Sequence, residues 1–207
     1  MLGVIFDWDG VVIDSSEFHL LSWEILSREI DMPLQIGHFE LGFGKRDEVI
    51  ISEILDWSDH KNEISRLGKR KEQIYRSLVR QNGLKPNDSI DLFLIQLKEK
   101  RHPCSIGTST DRENINLTLK ILGLESFFEG AVCSEDVDKG KPHPEVFLKA
   151  AKLIDLEPEN CLVFEDSPSG IEAAIAGGFF TVGLATTRPK EMLIHAGAHL
   201  ILENTSK

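Results

Sequence analysis

The chain reads as an α/β protein: a parallel sheet with helices on both faces, interrupted after its first strand by an all-helical insertion. Three observations predict this. Val4-Ile5-Phe6 is an apolar run of strand formers close to the start. From about residue 85 onward, short apolar runs alternate with helical periodicity, as in a parallel sheet whose strands are joined by helices. Between these regions, from about Ser15 to Asn82, the pattern is helical and rich in charge, with no convincing strand.

Residues 2–7 form the first predicted strand. Phe18, Leu21, Trp23, Leu26 and Ile30 mark one face of a helix near 16–30. Val49, Ile50, Ile54 and Leu55 mark a second helix, and Ile64, Leu67, Ile74 and Leu78 a third. Asn82-Gly83 followed by Pro86-Asn87-Asp88 is a stop and a new start. A helix over about 89–100 and a strand over 103–108 come next. The helix at 111–122 opens on Thr110-x-x-Glu113, the spacing of a capping box, and closes on Gly123. A strand near 130–133, a helix near 144–154 and a strand at 160–164 follow. The helix at 168–176 starts with Ser167-Pro168 and ends with Gly177-Gly178. Strands at 179–184 and 199–202 complete the pattern. The first strand belongs with this second half. The expected domains are therefore a core of residues 1–14 and 85–207, and an inserted helical cap of residues 15–84.

With 207 residues, 41% hydrophobic and 28% charged, the chain can build one full-sized domain or a domain with a modest insertion. No stretch approaches the roughly 18–20 apolar residues of a membrane span. Residues 1–6 are apolar, but no basic segment precedes them and no small-residue cleavage site follows, so they read as a strand and not as a signal peptide. Cys104, Cys133 and Cys161 each sit in or beside an apolar run, which suits reduced, buried thiols in a cytoplasmic protein. No paired Cys/His spacing suggests zinc. The net charge of −11 argues against nucleic acid and anionic membrane as partners. It leaves room for a small anionic substrate, since local cations and a metal can override the global field.

Four predicted strand ends carry the chemistry. The first strand stops abruptly in Asp7-Trp8-Asp9-Gly10, two carboxylates one residue apart. Asp-Gly after a strand suits a turn. Acids at a strand end also suit a site, because ligands of open α/β sheets gather at the carboxyl ends of strands and unpaired buried charge is costly. An aspartate can attack an electrophile, and a neighbouring acid can move the proton. The second end, Thr108-Ser109-Thr110, places hydroxyls at a helix N-terminus, which serves as a cap or as a phosphate cradle. The third holds Lys141 between Gly140 and Pro142, as a loop lysine or as a fixed cation beside phosphate or acids. The fourth ends in Glu165-Asp166-Ser167, where Asp166 is a candidate magnesium ligand or, with Ser167, a helix cap. Together these ends would gather Asp7, Asp9, Glu165 and Asp166 at one sheet edge, where a divalent cation and Lys141 would relieve their repulsion. A nucleophile, charge neutralisation and a proton donor are the requirements of phosphoryl transfer.

On Asp7-Trp8-Asp9-Gly10, Thr108, Lys141-Pro142-x-Pro144 and Glu165-Asp166-Ser167-x-x-Gly170, the chain resembles the haloacid dehalogenase-like hydrolase superfamily over essentially its whole length. The resemblance implies a Rossmann-like parallel sheet core with a helical cap domain inserted after the first strand. It implies that Asp7 attacks phosphorus to give an aspartyl phosphate, that Asp9 acts as acid and base, and that Thr108 and Lys141 hold the transferring group. It further implies Mg2+ as cofactor, bound by Asp7, the Asp9 carbonyl and Asp166, with Glu165 as a helper.

Within the superfamily, Asp14-Ser15-x-x-x-His19-x-x-x-Trp23, Gly42-x-Gly44-Lys45-Arg46-Asp47 and Lys69-Arg70-Lys71 resemble the β-phosphoglucomutase-like group of phosphatases and mutases. His19 is the implied holder of the acid and of the sugar phosphate. Lys45 or Arg46 is a candidate contact for a substrate anion, or a partner of Asp47 or Glu48. Ser109 and Thr110 are further phosphate candidates. Trp23 reads as packing, and Lys69-Arg70-Lys71 as a solvated helix face or, alternatively, as cations facing the cleft. The activity expected is that of a magnesium-dependent phosphatase on a small phosphorylated metabolite, a sugar phosphate, with the chain as a monomer. Alternatives are a phosphoglucomutase-type isomerase with the same aspartyl phosphate and a catalytically silent binding protein on this fold. Dehalogenation needs no second acid two residues on, so Asp9 argues against it. Hinges are expected near 14–16 and 82–87.

Overall fold

A computed structural model of the chain describes residues 2–203. They divide into two compact units, one of residues up to Asp14 and from Lys85 onward, the other Ser15–Leu84.

The first unit is built on a six-stranded sheet of β1 (Gly3–Phe6), β2 (Cys104–Gly107), β3 (Ala131–Val132), β4 (Cys161–Glu165), β5 (Phe180–Leu184) and β6 (Leu200–Leu202). Its order is β3-β2-β1-β4-β5-β6, and every pairing is parallel. Its helices are α5 (Ile90–Glu99), α6 (Arg112–Leu122), α7 (Glu145–Leu153), α8 (Pro168–Ala176) and α9 (Lys190–His195), numbered after those of the second unit. Continuous apolar strands are what a sheet covered on both faces demands. β1, with Val4 opposite both Cys104 and Leu162, is buried along its whole length.

Alternating side chains of β1 feed two different layers. Ile5 joins Val163, Val146, Phe147, Ala150, Ala174 and Phe179 in one cluster, which includes the inner faces of α7 and α8. Phe6 points the other way, stacked on Phe164 at 5.3 Å and edge-on to Phe93 of α5 at 6.1 Å. The strand order reverses between β1 and β4, so the crevice at their carboxyl ends is the topological switch point. Cys104, Cys133 and Cys161 are buried free thiols, and burial pushes Cys104 and Cys133 up to about 12.

The second unit consists of α1 (Ser16–Ile30), α2 (His38–Gly42), α3 (Asp47–Val49) running into a π-helical turn Ile50–Ile54, and α4 (Lys61–Asn82). Its own core joins Trp23 and Leu26 to Ile50, Ile51, Leu55, Trp57, Ile64, Leu67 and Ile74. Trp23 packs edge-on against Trp57, as a packing residue would.

Three local expectations change. The buried stripe of α1 is His19, Ser22, Trp23 and Leu26, with Phe18 and Leu21 only half-buried, because the helix turns two polar residues inward. The helix expected around Val49–Leu55 is not regular but widens into π geometry at Ile50. Finally, α6 is capped by Asp111, whose carboxylate accepts the Asn114 N–H at 2.7 Å, so Thr110-x-x-Glu113 is not its capping box. Among the described residues, no helix is long and apolar enough to cross a membrane.

Candidate active site

The acids after β1 are aimed by the residue between them. Asp7 is still in the ladder, its N–H donating to the Phe164 carbonyl at 2.9 Å. Trp8 is fully buried; its Nε1 donates to Thr118 Oγ1 of α6 at 3.0 Å and its ring meets Phe128 edge-on. Alternation then turns Asp7 and Asp9 away from that anchor. The chain reverses at Gly10, whose φ of +81° strains any other residue. The reversal is closed by Val12 and Ile13 N–H groups donating to the Trp8 carbonyl at 2.9 and 3.1 Å. From the start of the second half of the core, the Asn87 amide donates to the carbonyls of Gly10 and Val11 at 2.9 and 3.0 Å.

Lys141 arrives in the loop between β3 and α7, with its side chain only 3% exposed. Its Nζ donates to Asp7 Oδ1 at 2.8 Å and to Glu165 Oε1 at 2.6 Å, and lies 4.7 Å from the Phe147 ring centre. The other Glu165 oxygen accepts from the Ser167 N–H at 2.6 Å and hydroxyl at 2.9 Å. Ser167 in turn caps α8 by accepting the Gly170 N–H at 3.1 Å. Gly170 is required by space, since a Cβ there would overlap the Glu165 carboxylate.

Burial dominates the electrostatics. It pushes Asp7 up to about 7, with Lys141 opposing the rise and Glu165 adding to it. It raises Asp166 well above the usual carboxylate range, helped by the charges of Glu165 and Asp7 and opposed by a hydrogen bond from Thr187. Burial alone would lower the Lys141 ammonium, but Asp7 and Glu165 outweigh it and the net shift is upward.

One hydroxyl of the β2 end serves the second acid. Thr108 is buried and donates its N–H to the Val132 carbonyl at 3.0 Å; its Oγ1 accepts the Thr110 N–H at 3.1 Å. The Thr110 hydroxyl donates to Asp9 Oδ2. Ser109 lies between them, half-buried. The structure therefore brings Asp7, Lys141, Glu165 and Asp166 into one cluster and ties Asp9 to Thr110 beside it.

Asp7, Glu165 and Asp166 each offer an oxygen within 4.8 Å of the others, all three residues being buried. Buried carboxylates with one ammonium among them are poorly balanced, and an all-oxygen donor set suits a hard divalent cation. These residues could hold one.

His19, Lys45 and Arg46 lie in the helical unit. His19 is buried, stacked on Tyr75 at 4.2 Å, with Nδ1 2.9 Å from Lys71 Nζ. Lys45 is exposed, and Arg46 is half-buried at the residue preceding α3. The expected solvated run divides: Lys69 and Arg70 are exposed, with Arg70 paired to Glu29 at 2.6 Å, whereas the Lys71 side chain is 3% exposed. Lys71 faces Glu72 at 2.6 Å and Asp47 at 3.5 Å because α4 turns it onto the inner face, over the Trp23 ring. Asp47 is pushed well above the usual carboxylate range by burial, with Lys71 opposing.

Sequence reasoning missed Thr186 and Thr187. The two threonines follow β5, a fifth strand end at the same sheet edge, and that position was the available signal.

A parallel sheet with acids at its switch point, and a helical unit inserted in the sequence after its first strand, define a Rossmann-like α/β class. The family model described as haloacid dehalogenase-like hydrolase matches residues 4–184, and the chain belongs to that family. It is 33% identical over 214 residues to a β-phosphoglucomutase of Bacillus subtilis, covering 100% of this chain and 91% of that protein, which places it in the β-phosphoglucomutase-like group. It is 36% identical over 191 residues to the chloroplastic 5-amino-6-(5-phospho-D-ribitylamino)uracil phosphatase of Arabidopsis thaliana; the match covers 91% of this chain but 51% of that protein. The crystal structure of a β-phosphoglucomutase from Clostridium difficile superposes with a TM-score of 0.86 at 27% identity, covering 99% of this chain and 92% of that one.

Proposed function

We propose that this chain is a magnesium-dependent phosphatase that hydrolyses a small phosphorylated metabolite, a sugar phosphate, through an aspartyl phosphate. The observation that carries the reading is the buried Asp7–Lys141–Glu165 pairing beside Asp166, with Asp9 held by Thr110. An Asp7 oxygen attacks phosphorus as the bond from phosphorus to the leaving oxygen breaks. Asp9, protonated, gives its proton to that leaving oxygen. Water then attacks the phosphorus, Asp9 takes the water proton, and the bond to Asp7 breaks to release inorganic phosphate. Lys141 and Thr108 hold the phosphoryl oxygens, assisted by Ser109 and Thr110, while Glu165 keeps Lys141 in place. Asp7, Asp166 and the Asp9 carbonyl, with Glu165 adjacent, would hold Mg2+, which when bound neutralises the charge of the transferring group.

The substrate class is supported by two relatives, one named for a phosphoribityl compound and one for phosphoglucose. In this reading the Ser15–Leu84 unit is the cap, and His19, Lys45 and Arg46 are its substrate-binding candidates. The partner is the small substrate alone, the chain is a monomer, and its free buried thiols fit the cytoplasm. The test is release of phosphate from an aryl phosphate with Mg2+ present, by wild type and by Asp7→Asn. The substitution should abolish turnover, and equal rates would overturn the assigned nucleophile. A screen of phosphorylated metabolites then identifies the substrate.

A second reading, a phosphoglucomutase-type isomerase, is favoured by the full-length match to the Bacillus enzyme. It requires a sugar hydroxyl, and not water, to take the phosphoryl group from Asp7. Conversion of β-glucose 1-phosphate with a bisphosphate primer and little phosphate release would select it.

A further inference from the structure

The turn after β5, Ala185-Thr186-Thr187-Arg188, has no part in the scheme above, yet both of its threonine hydroxyls reach the switch point. Thr187 Oγ1 donates to Asp166 Oδ2, and Thr186 Oγ1 donates to the Gly10 carbonyl at 2.6 Å. Gly10 fits closely against this pair: a Cβ there would overlap Asp166 Oδ2 and come within 2.9 Å of the Thr187 methyl. A hydroxyl that only shaped its own turn would bond to neighbouring backbone. These two cross to other strand ends, one to a buried carboxylate and the other to the reversal that follows Asp9.

A buried carboxylate repelled by neighbouring acids holds its rotamer poorly unless one oxygen is tied down. With Oδ2 engaged by Thr187, the Asp166 oxygens have a defined orientation. We infer that Thr187 is a positioning residue that orients Asp166 for the divalent cation, and that Thr186 of the same turn steadies the backbone following Asp9. The inference rests on the metal reading proposed above. Partners of metal-binding carboxylates typically govern metal affinity by about 10- to 100-fold.

The test is a calorimetric Mg2+ titration of the metal-free full chain, as wild type, Thr187→Val and Thr187→Ser. The valine variant keeps the shape without the hydroxyl and should bind Mg2+ about 10- to 100-fold more weakly, while the serine variant stays within about threefold of wild type. The Mg2+ concentration for half-maximal aryl phosphate hydrolysis should rise in parallel, with KM at saturating Mg2+ unchanged. Thermal unfolding of the metal-free variants establishes that each is folded, and Thr187→Ala gives the same comparison if the valine variant is not. Affinity of the valine variant within about threefold of wild type would overturn the inference. Absence of Mg2+ binding by wild type would instead overturn the metal reading, and this inference with it.

Discussion

Among the described residues each unit buries one lysine among acids, and the two clusters differ in what surrounds the charge. Lys141 lies at strand ends, bonded to Asp7 and Glu165, with Asp166 and Asp9 close by and hydroxyls from three other elements converging on the acids. Lys71 lies on a helix, paired with Asp47 and Glu72, beside His19 and the faces of Trp23 and Tyr75. Burial raises the acids of both clusters, Asp7 and Asp166 in one and Asp47 in the other. Equal burial therefore does not separate them. The surplus of carboxylates at the sheet edge does, because only that cluster gathers three buried metal-ligand candidates among the described residues.

The largest expected effect follows from removing each lysine. Lys141→Met should lower kcat by about 10^3-fold, since a preorganised cation facing developing charge is lost. Mg2+ should restore part of the lost thermal stability, as a cation can replace the missing charge. Lys71→Met should destabilise by about 3 kcal/mol, because Glu72 and Asp47 lose their buried partner. Mg2+ should not restore it. Equal rescue of both variants in thermal unfolding would erase the distinction between the clusters.

A smaller effect concerns pH. Asp7 rises from 3.8 to about 7 on folding, so the folded, metal-free chain binds more protons than the unfolded chain across that window. Its contribution to stability is fully present below 3.8 and is lost as pH rises through about 7. Mg2+ requires the ionised carboxylate. The gain in Tm on adding Mg2+ should therefore be larger at pH 8 than at pH 5. A gain independent of pH would show that Asp7 is already ionised throughout. Asp47 shifts in the same direction and belongs to no candidate metal group among the described residues, so Asp47→Asn should leave the Mg2+ gain unchanged.

The smallest effect separates both clusters from the thiols. Cys104 and Cys133, pushed up to about 12 by burial, should resist alkylation at pH 8 until the chain is denatured. Native labelling at the denatured rate would contradict their burial.

Much of the architecture was legible. Val4-Ile5-Phe6 and Leu162-Val163-Phe164 are continuous apolar runs because both sheet faces are covered, and Gly123 and Ser167-Pro168 mark helix ends by local chemistry. The face of α1 was harder, because His19 and Ser22 lie in its buried stripe and periodicity counts only apolar residues. Lys69-Arg70-Lys71 could not be divided from sequence for a related reason: a charge run reads as one face, and only packing against Trp23 and Asp47 turns Lys71 inward.

The sequence by itself determined that Asp7, Asp9, Lys141, Glu165 and Asp166 stand at or beside the ends of predicted strands, because residue type and hydrophobic period are local. Only the tertiary structure decided how their bonds are shared. Lys141 bridges Asp7 and Glu165, Ser167 takes the other Glu165 oxygen, Thr110 goes to Asp9 and Thr187 to Asp166. Those partners lie up to 134 residues apart, and hydrogen bonds depend on distances that exist only after the sheet has brought its strand ends together.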